Sequence, residues 1–201
     1  MSKVIKSVAV KENMRMKSHN CHQSQRGFTL IELIVVIIIL GLLASIALPR
    51  FVSLQRDARI AKLQAARGSV AAASALAHAT VLARAGVADV NACAGGATAN
   101  NAATGNGTVC TENGLVNMVN GYPAASALGT AGILSMAGLT NVFNPAAADL
   151  QAEGYVYTPG TGSATFGVVG ATTAGNCIFT YTESTGANVA ATISALDTTG
   201  C

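Results

Sequence analysis

Arg26-Gly27-Phe28-Thr29-Leu30-Ile31-Glu32 is the stretch whose residue types and spacing most invite chemistry. A basic segment ends at a glycine, an aromatic residue follows, and a carboxylate stands four positions later at the head of an aliphatic run that carries no further charge before Arg50. A lone carboxylate among aliphatic neighbours suits ion pairing, because general acid–base work needs a second group within hydrogen-bond reach.

The rest of the reactive inventory is thin. His78 is the one histidine after Gly27 and sits among alanines, a setting for a structural ring. The chain has no GxSxG, HExxH or Walker-type loop, and its carboxylates are too scattered to nominate a pair. Neither an enzyme nor a bound cofactor is expected.

Cys93, Cys110, Cys177 and Cys201 lie in the charge-poor, Gly-rich half, and Cys21 in the basic N-terminal segment. Four such cysteines after a hydrophobic segment read as two disulfides in an oxidising compartment. They allow three pairings. Cys93–Cys110 with Cys177–Cys201 is favoured because each closes a local loop, for roughly 3 kcal/mol apiece in the chain-entropy model. The spacing lacks the CxxC and clustered histidines of a zinc site.

The elements that must position these groups follow from charge and periodicity. Residues 1–27 carry Lys3, Lys6, Lys11, Arg15, Lys17 and Arg26 against Glu12 alone. The run from Phe28 to Pro49 would, as a helix rising 1.5 Å per residue, extend about 30 Å, the thickness of a bilayer core. The richer basic flank places the leader in the cytoplasm.

From residue 50 to 84 the pattern turns amphipathic. One apolar row comprises Phe51, Leu54, Ala58, Ala61, Ala65, Gly68, Ala72, Leu76 and Ala79; a second comprises Ile60, Leu63, Val70, Ala77 and Val81. Arg56, Arg59, Lys62 and Arg67 fall between them as solvated positions. One long helix is expected, its first half in the membrane and one face of its second half against a head.

That head, residues 85–201, contains no Lys or Arg, only Asp89, Glu112, Asp149, Glu153, Glu183 and Asp197. An acidic head argues against nucleic-acid binding. With 51% hydrophobic and only 10% charged residues, the chain also lacks the charged coat of a cytosolic protein. Residues 86–114 read as irregular, 115–120 as a short strand, and 124–138 as a second helix with Pro123 near its start. Period-two alternation then predicts strands near 154–158, 164–169, 176–182 and 188–195. The fold class is α+β, a long N-terminal helix on a small antiparallel sheet.

Two simple accounts of the junction leave residues unexplained. A permanent membrane anchor has no use for Glu32, which at helix-centre depth costs about 2.5–3.5 kcal/mol. A secretory signal cut near Ser45-Ile46-Ala47 fits poorly with Glu32 inside it and Pro49 just beyond.

The segment from Gly27 to Glu32, with its aliphatic continuation, resembles the N-terminus of type IV pilins and pseudopilins. The resemblance implies the type IV pilin fold, removal of leader 1–27 by a prepilin peptidase cutting Gly27–Phe28, and N-methylation of Phe28. It implies a helix core at 28–49, continued over 50–84, under a disulfide-bonded head. It further implies an inner-membrane store, an assembly platform there as partner, and self-association into an extracellular filament for surface attachment. Glu32 would set subunit register by pairing with a neighbour's Phe28 amine, and Gly41 and Pro49 would bracket a segment that melts during assembly. Gly121-Tyr122-Pro123, Cys177-Ile-Phe-Thr-Tyr-Thr-Glu183 and the terminal Thr199-Gly200-Cys201 look like pieces of mannose-sensitive haemagglutinin-type pilins, in which a C-terminal disulfide loop pins the sheet. A pseudopilin of a type II secretion system and a minor DNA-uptake pilin are the alternative members.

Overall fold

The computed structural model describes residues 27–201, in two units that divide between Ile46 and Ala47. The leader assigned to 1–27, apart from Gly27, and Cys21 lie outside the described residues. Helix α1, Leu30–Ala83, runs through both units.

In the first unit α1 is aliphatic on every side and none of it is buried. In the second unit α1 buries a single face, Leu63, Ala66, Val70, Ala73, Ser74, Ala77 and Val81. The steps of three and four place these on one stripe. This is the row holding the branched residues; the row from Phe51 to Ala79 is exposed along its length.

The head consists of two antiparallel sheets rather than one. Strands β1 (Asn106–Thr111), β2 (Gly114–Val119) and β3 (Tyr122–Pro123) pair in that order. Strands β4 (Tyr155–Gly160), β5 (Ser163–Val168), β6 (Ile178–Thr182) and β7 (Thr192–Ile193) form the second sheet, also in chain order. Leu63, Ala66, Val70 and Ala73 pack in one core with Tyr157, Phe166, Phe179 and Tyr181 of the second sheet. Ala77 and Val81 pack with Val109, Val116 and Met118 of the first. Alternation along β2 and β6 is what sends every other residue inward.

Several sequence expectations are overturned. The helix at 124–138 is absent apart from the single turn α2, Ile133–Met136. Pro123 instead sits in β3, paired with Met118. Gly129 and Gly138 take positive φ, a left-handed geometry that ends helical continuation. The region expected to be irregular contains β1, because Asn106-Gly107 is paired in a strand and not in a turn. A Cβ on Gly107 would lie 2.7 Å from the Ala102 carbonyl oxygen, so glycine lets the preceding loop close onto the strand. The expected strand at 188–195 shrinks to Thr192–Ile193. A short helix, α3 (Ala147–Ala152), lies where none was expected.

The stalk cations, expected as solvated positions, also bond to the head. Arg56 donates to the Thr198 carbonyl at 3.1 Å, Arg59 to Cys201 at 2.7 Å and Arg67 to Ser194 at 2.9 Å. Lys62 donates to the Glu153 carbonyl and stands over the Tyr155 ring. These side chains fasten the head's backbone, including its C-terminal segment, to α1 and satisfy carbonyls that no strand pairs.

Both local disulfides are formed, Cys93–Cys110 with Cα atoms 5.4 Å apart and Cys177–Cys201 with 4.8 Å. The first closes a loop organised by Asn101, which is fully buried in a left-handed conformation. Its amide nitrogen donates to Val87 O at 2.7 Å and to Asp89 at 2.9 Å, and its amide oxygen accepts from Arg84 at 3.1 Å. Asn101→Ala would leave the buried partners of that amide unsatisfied and keep the strained φ, so destabilisation of about 2–4 kcal/mol is expected, measurable by urea unfolding.

The core phenols make the fold alkali-sensitive. Tyr157 donates to Ser126 O and Tyr181 to Pro123 O, both at 2.6 Å. Burial, then the Glu183 carboxylate, pushes the Tyr157 pKa up to about 12, and burial raises Tyr181 likewise. A raised pKa means that the folded state holds the proton more tightly than the unfolded one. The resulting stability is complete below pH about 10 and is lost as pH climbs through the folded values. Unfolding midpoints measured from pH 9 to 12 should fall, and Tyr157→Phe should flatten part of that fall.

Candidate functional site

The candidate site is the start of α1 and the apolar surface behind it. Gly27, Phe28 and Thr29 precede the helix, which begins at Leu30. Thr29 is the residue that starts it. Its side-chain oxygen accepts a hydrogen bond from the Glu32 N–H at 3.3 Å, and its carbonyl accepts from Glu32 and Leu33 at 3.1 and 3.3 Å. A threonine followed three residues later by glutamate is an N-terminal capping signature. That signal is present in the sequence at Thr29 and Glu32.

Capping leaves the Gly27–Phe28 peptide outside the helix. It also fixes Glu32 in the first turn, where the helix dipole favours negative charge. Glu32 is exposed, and among the described residues its carboxylate has no ion-pair or hydrogen-bond partner. Phe28 is 79% exposed. Among the described residues, this stretch therefore offers an exposed peptide bond, a carboxylate without a partner and an apolar surface behind it.

Behind Glu32, α1 is continuous through Gly41 and Pro49. A Cβ on Gly41 would meet nothing within 4 Å, so close packing within this chain does not explain the glycine. Pro49 has no N–H for the Ser45 carbonyl. The Ser45 hydroxyl donates to Leu42 O at 2.7 Å and the Ser53 hydroxyl to Arg50 O at 2.8 Å, on either side of the proline.

Two contacts hold His78. Its ring stacks on Tyr122 at 4.0 Å between centroids, and its Nδ1 lies 3.0 Å from the Gly121 carbonyl oxygen, the geometry of an N–H donor. Asp89, Cys93 and Cys110 cluster, but the two sulfurs are bonded to each other and Asp89 is ion-paired with Arg84 at 2.9 Å.

Comparison with known proteins points to the same end of the chain. A family model described as the prokaryotic N-terminal methylation motif matches residues 22–48. The chain is also similar to the type IV narrow pilus major component PilA5 of Thermus thermophilus, at 50% identity over 52 residues. That match covers 26% of this chain and 45% of the relative, so the chain spans less than half the length of the curated relative it matches. No solved structure matches. Residues 22–48 of this chain thus match the prokaryotic N-terminal methylation motif, and 52 of its residues are similar to a type IV pilus component.

Proposed function

We infer that this chain is a structural subunit of a type IV pilus. It is stored in the inner membrane as a precursor, cut between Gly27 and Phe28 by a prepilin peptidase, methylated at Phe28 and polymerised through α1 by an inner-membrane assembly platform. The observation that carries this reading is the bare apolar run of α1, unburied among the described residues and headed by the exposed carboxylate of Glu32. A solvent-exposed surface of that size demands either lipid or other copies of the same helix. The exposed row from Phe51 to Ala79, rich in alanine, supports helix–helix contact beyond the span. At about 25 cal/mol per Å² of apolar area removed from water, such contacts supply most of the association energy.

Glu32 sets register, and the interval from Gly41 to Pro49 is the weakest part of the core, where the helix melts as subunits enter the filament. The two disulfides hold the head rigid outside the membrane. Adhesion or surface attachment is the use this arrangement serves best, and the C-terminal loop closed by Cys177–Cys201 supports the haemagglutinin-type subgroup. Electron microscopy of cells labelled with antibody to the head tests the reading. Long labelled filaments are expected, and label confined to the cell envelope would oppose a surface pilus and favour a pseudopilin.

A further inference from the structure

Asparagine is a chemically labile side chain, and a following glycine exposes it most, because no Cβ obstructs attack by the backbone nitrogen on the side-chain amide. The chain has three such pairs, Asn106-Gly107, Asn113-Gly114 and Asn120-Gly121. All three lie on the first sheet or in its turns, and the fold treats them differently. Asn120 is held. Its amide oxygen accepts from the Gly105 N–H at 2.9 Å and its amide nitrogen donates to the Ser184 carbonyl at 3.1 Å. Turning that amide onto the Gly121 nitrogen would break both bonds. Asn106 is exposed, but Gly107 is buried and paired with Met118 between further rungs of the β1–β2 ladder. Moving the Gly107 nitrogen towards Asn106 would disrupt the ladder on both sides of it.

Asn113 meets neither restraint. With Glu112 it forms the two-residue loop between Thr111 of β1 and Gly114 of β2, and both loop residues are exposed. The side-chain hydrogen bond of this turn runs from the Thr111 hydroxyl to the Gly114 carbonyl at 2.8 Å, which leaves the Asn113 amide free among the described residues. Gly114 ends the ladder, so drawing in its nitrogen costs the last rung alone.

We propose that Asn113 is a site of spontaneous deamidation in the folded head. The Gly114 nitrogen bonds to the Asn113 side-chain carbonyl carbon, the bond from that carbon to Nδ2 breaks, and ammonia leaves with the proton that the Gly114 nitrogen gives up. Water then opens the cyclic imide. Attack at the side-chain carbonyl leaves aspartate. Attack at the main-chain carbonyl leaves isoaspartate, whose backbone runs through one extra methylene. Either product sets a second negative charge beside Glu112. The isoaspartyl form also lengthens the turn beneath Phe143, whose ring lies so close to Gly114 that a Cβ there would stand 2.6 Å from Cε1. Phe143 in turn packs on the core of Val109, Val116 and Met118, so the mark reaches the first sheet as well as the surface. The reaction needs only the folded head and water.

The full-length chain in detergent, kept folded in mildly alkaline buffer and sampled over days, tests this by chymotryptic mapping, mass spectrometry and labelling with an isoaspartyl methyltransferase. Asn113 should convert at least tenfold faster than Asn106 or Asn120 and give both acids. In the chain reduced and unfolded in guanidinium chloride, the three pairs should convert within threefold of one another, because the restraints at 106 and 120 are gone. No conversion at Asn113 in the folded chain, or conversion of Asn106 or Asn120 as fast, would overturn the proposal. Aspartate without isoaspartate would do the same, since it excludes the imide. So would an undiminished lead for Asn113 in the unfolded chain, because local sequence and not the fold would then set the order.

Discussion

Cells whose only copy of this chain carries Glu32→Ala are expected to store the subunit in the membrane and to make almost no surface filament. Among the described residues the carboxylate has no partner in the first turn of α1, at the head of an exposed aliphatic run. Inside a helical polymer it would meet the amine that cleavage creates at Phe28. Removing one member of a buried ion pair costs about 3–5 kcal/mol because the other charge stays desolvated and alone. At 1.4 kcal/mol per tenfold, addition of each subunit weakens by more than about 100-fold. Glu32→Gln, which keeps shape but loses charge, should fail nearly as badly. Shearing and weighing of filaments against membrane-bound subunit reads the effect, and a wild-type yield from either variant would remove the register role.

The second large effect belongs to the head. Phe166→Ala should destabilise folding by about 3–5 kcal/mol, a large share of a domain's usual margin of 5–15. Phe166 is buried at the centre of the second sheet, stacked on Phe179 at 5.0 Å and edge-on to Tyr157 at 5.1 Å. Its loss opens a cavity under β4, β5 and β6 that α1 cannot collapse to fill. Phe51→Ala makes the contrast. Phe51 is 61% exposed, so folding should change by less than about 0.5 kcal/mol while filament yield falls. Urea unfolding and filament yield measured on both variants separate core from contact surface. Equal destabilisation by the two would contradict the division of α1 into a buried and a free row.

The long helix was legible because nothing competes with it: an aliphatic run passes into a three-and-four pattern without a break stronger than Pro49. Which of the two rows faces the head was not, since alanine populates both. The deciding difference is the branched bulk at Leu63, Val70 and Val81, which fills space between α1 and the sheets. The strands containing Phe166, Phe179 and Tyr181 announced themselves through alternation. The segment after Pro123 misled because alanine content mimics a helix, and the glycines at 129, 132 and 138 set its path instead. Gly132 lies so close to Ala124 and Ser126 that no side chain fits there. The start of the site was readable from types alone, Thr29 excepted. The arginine-to-carbonyl bonds were not, because they join residues up to 142 positions apart that only folding brings together.

Surface filaments sheared from cells and analysed for intact mass and N-terminal sequence put the central claim to its most direct trial. A mature chain that opens with N-methylated Phe28, lacks residues 1–27 and carries both disulfides is the predicted result. A chain that begins at any other residue, or that still bears its leader in the filament, would contradict the account.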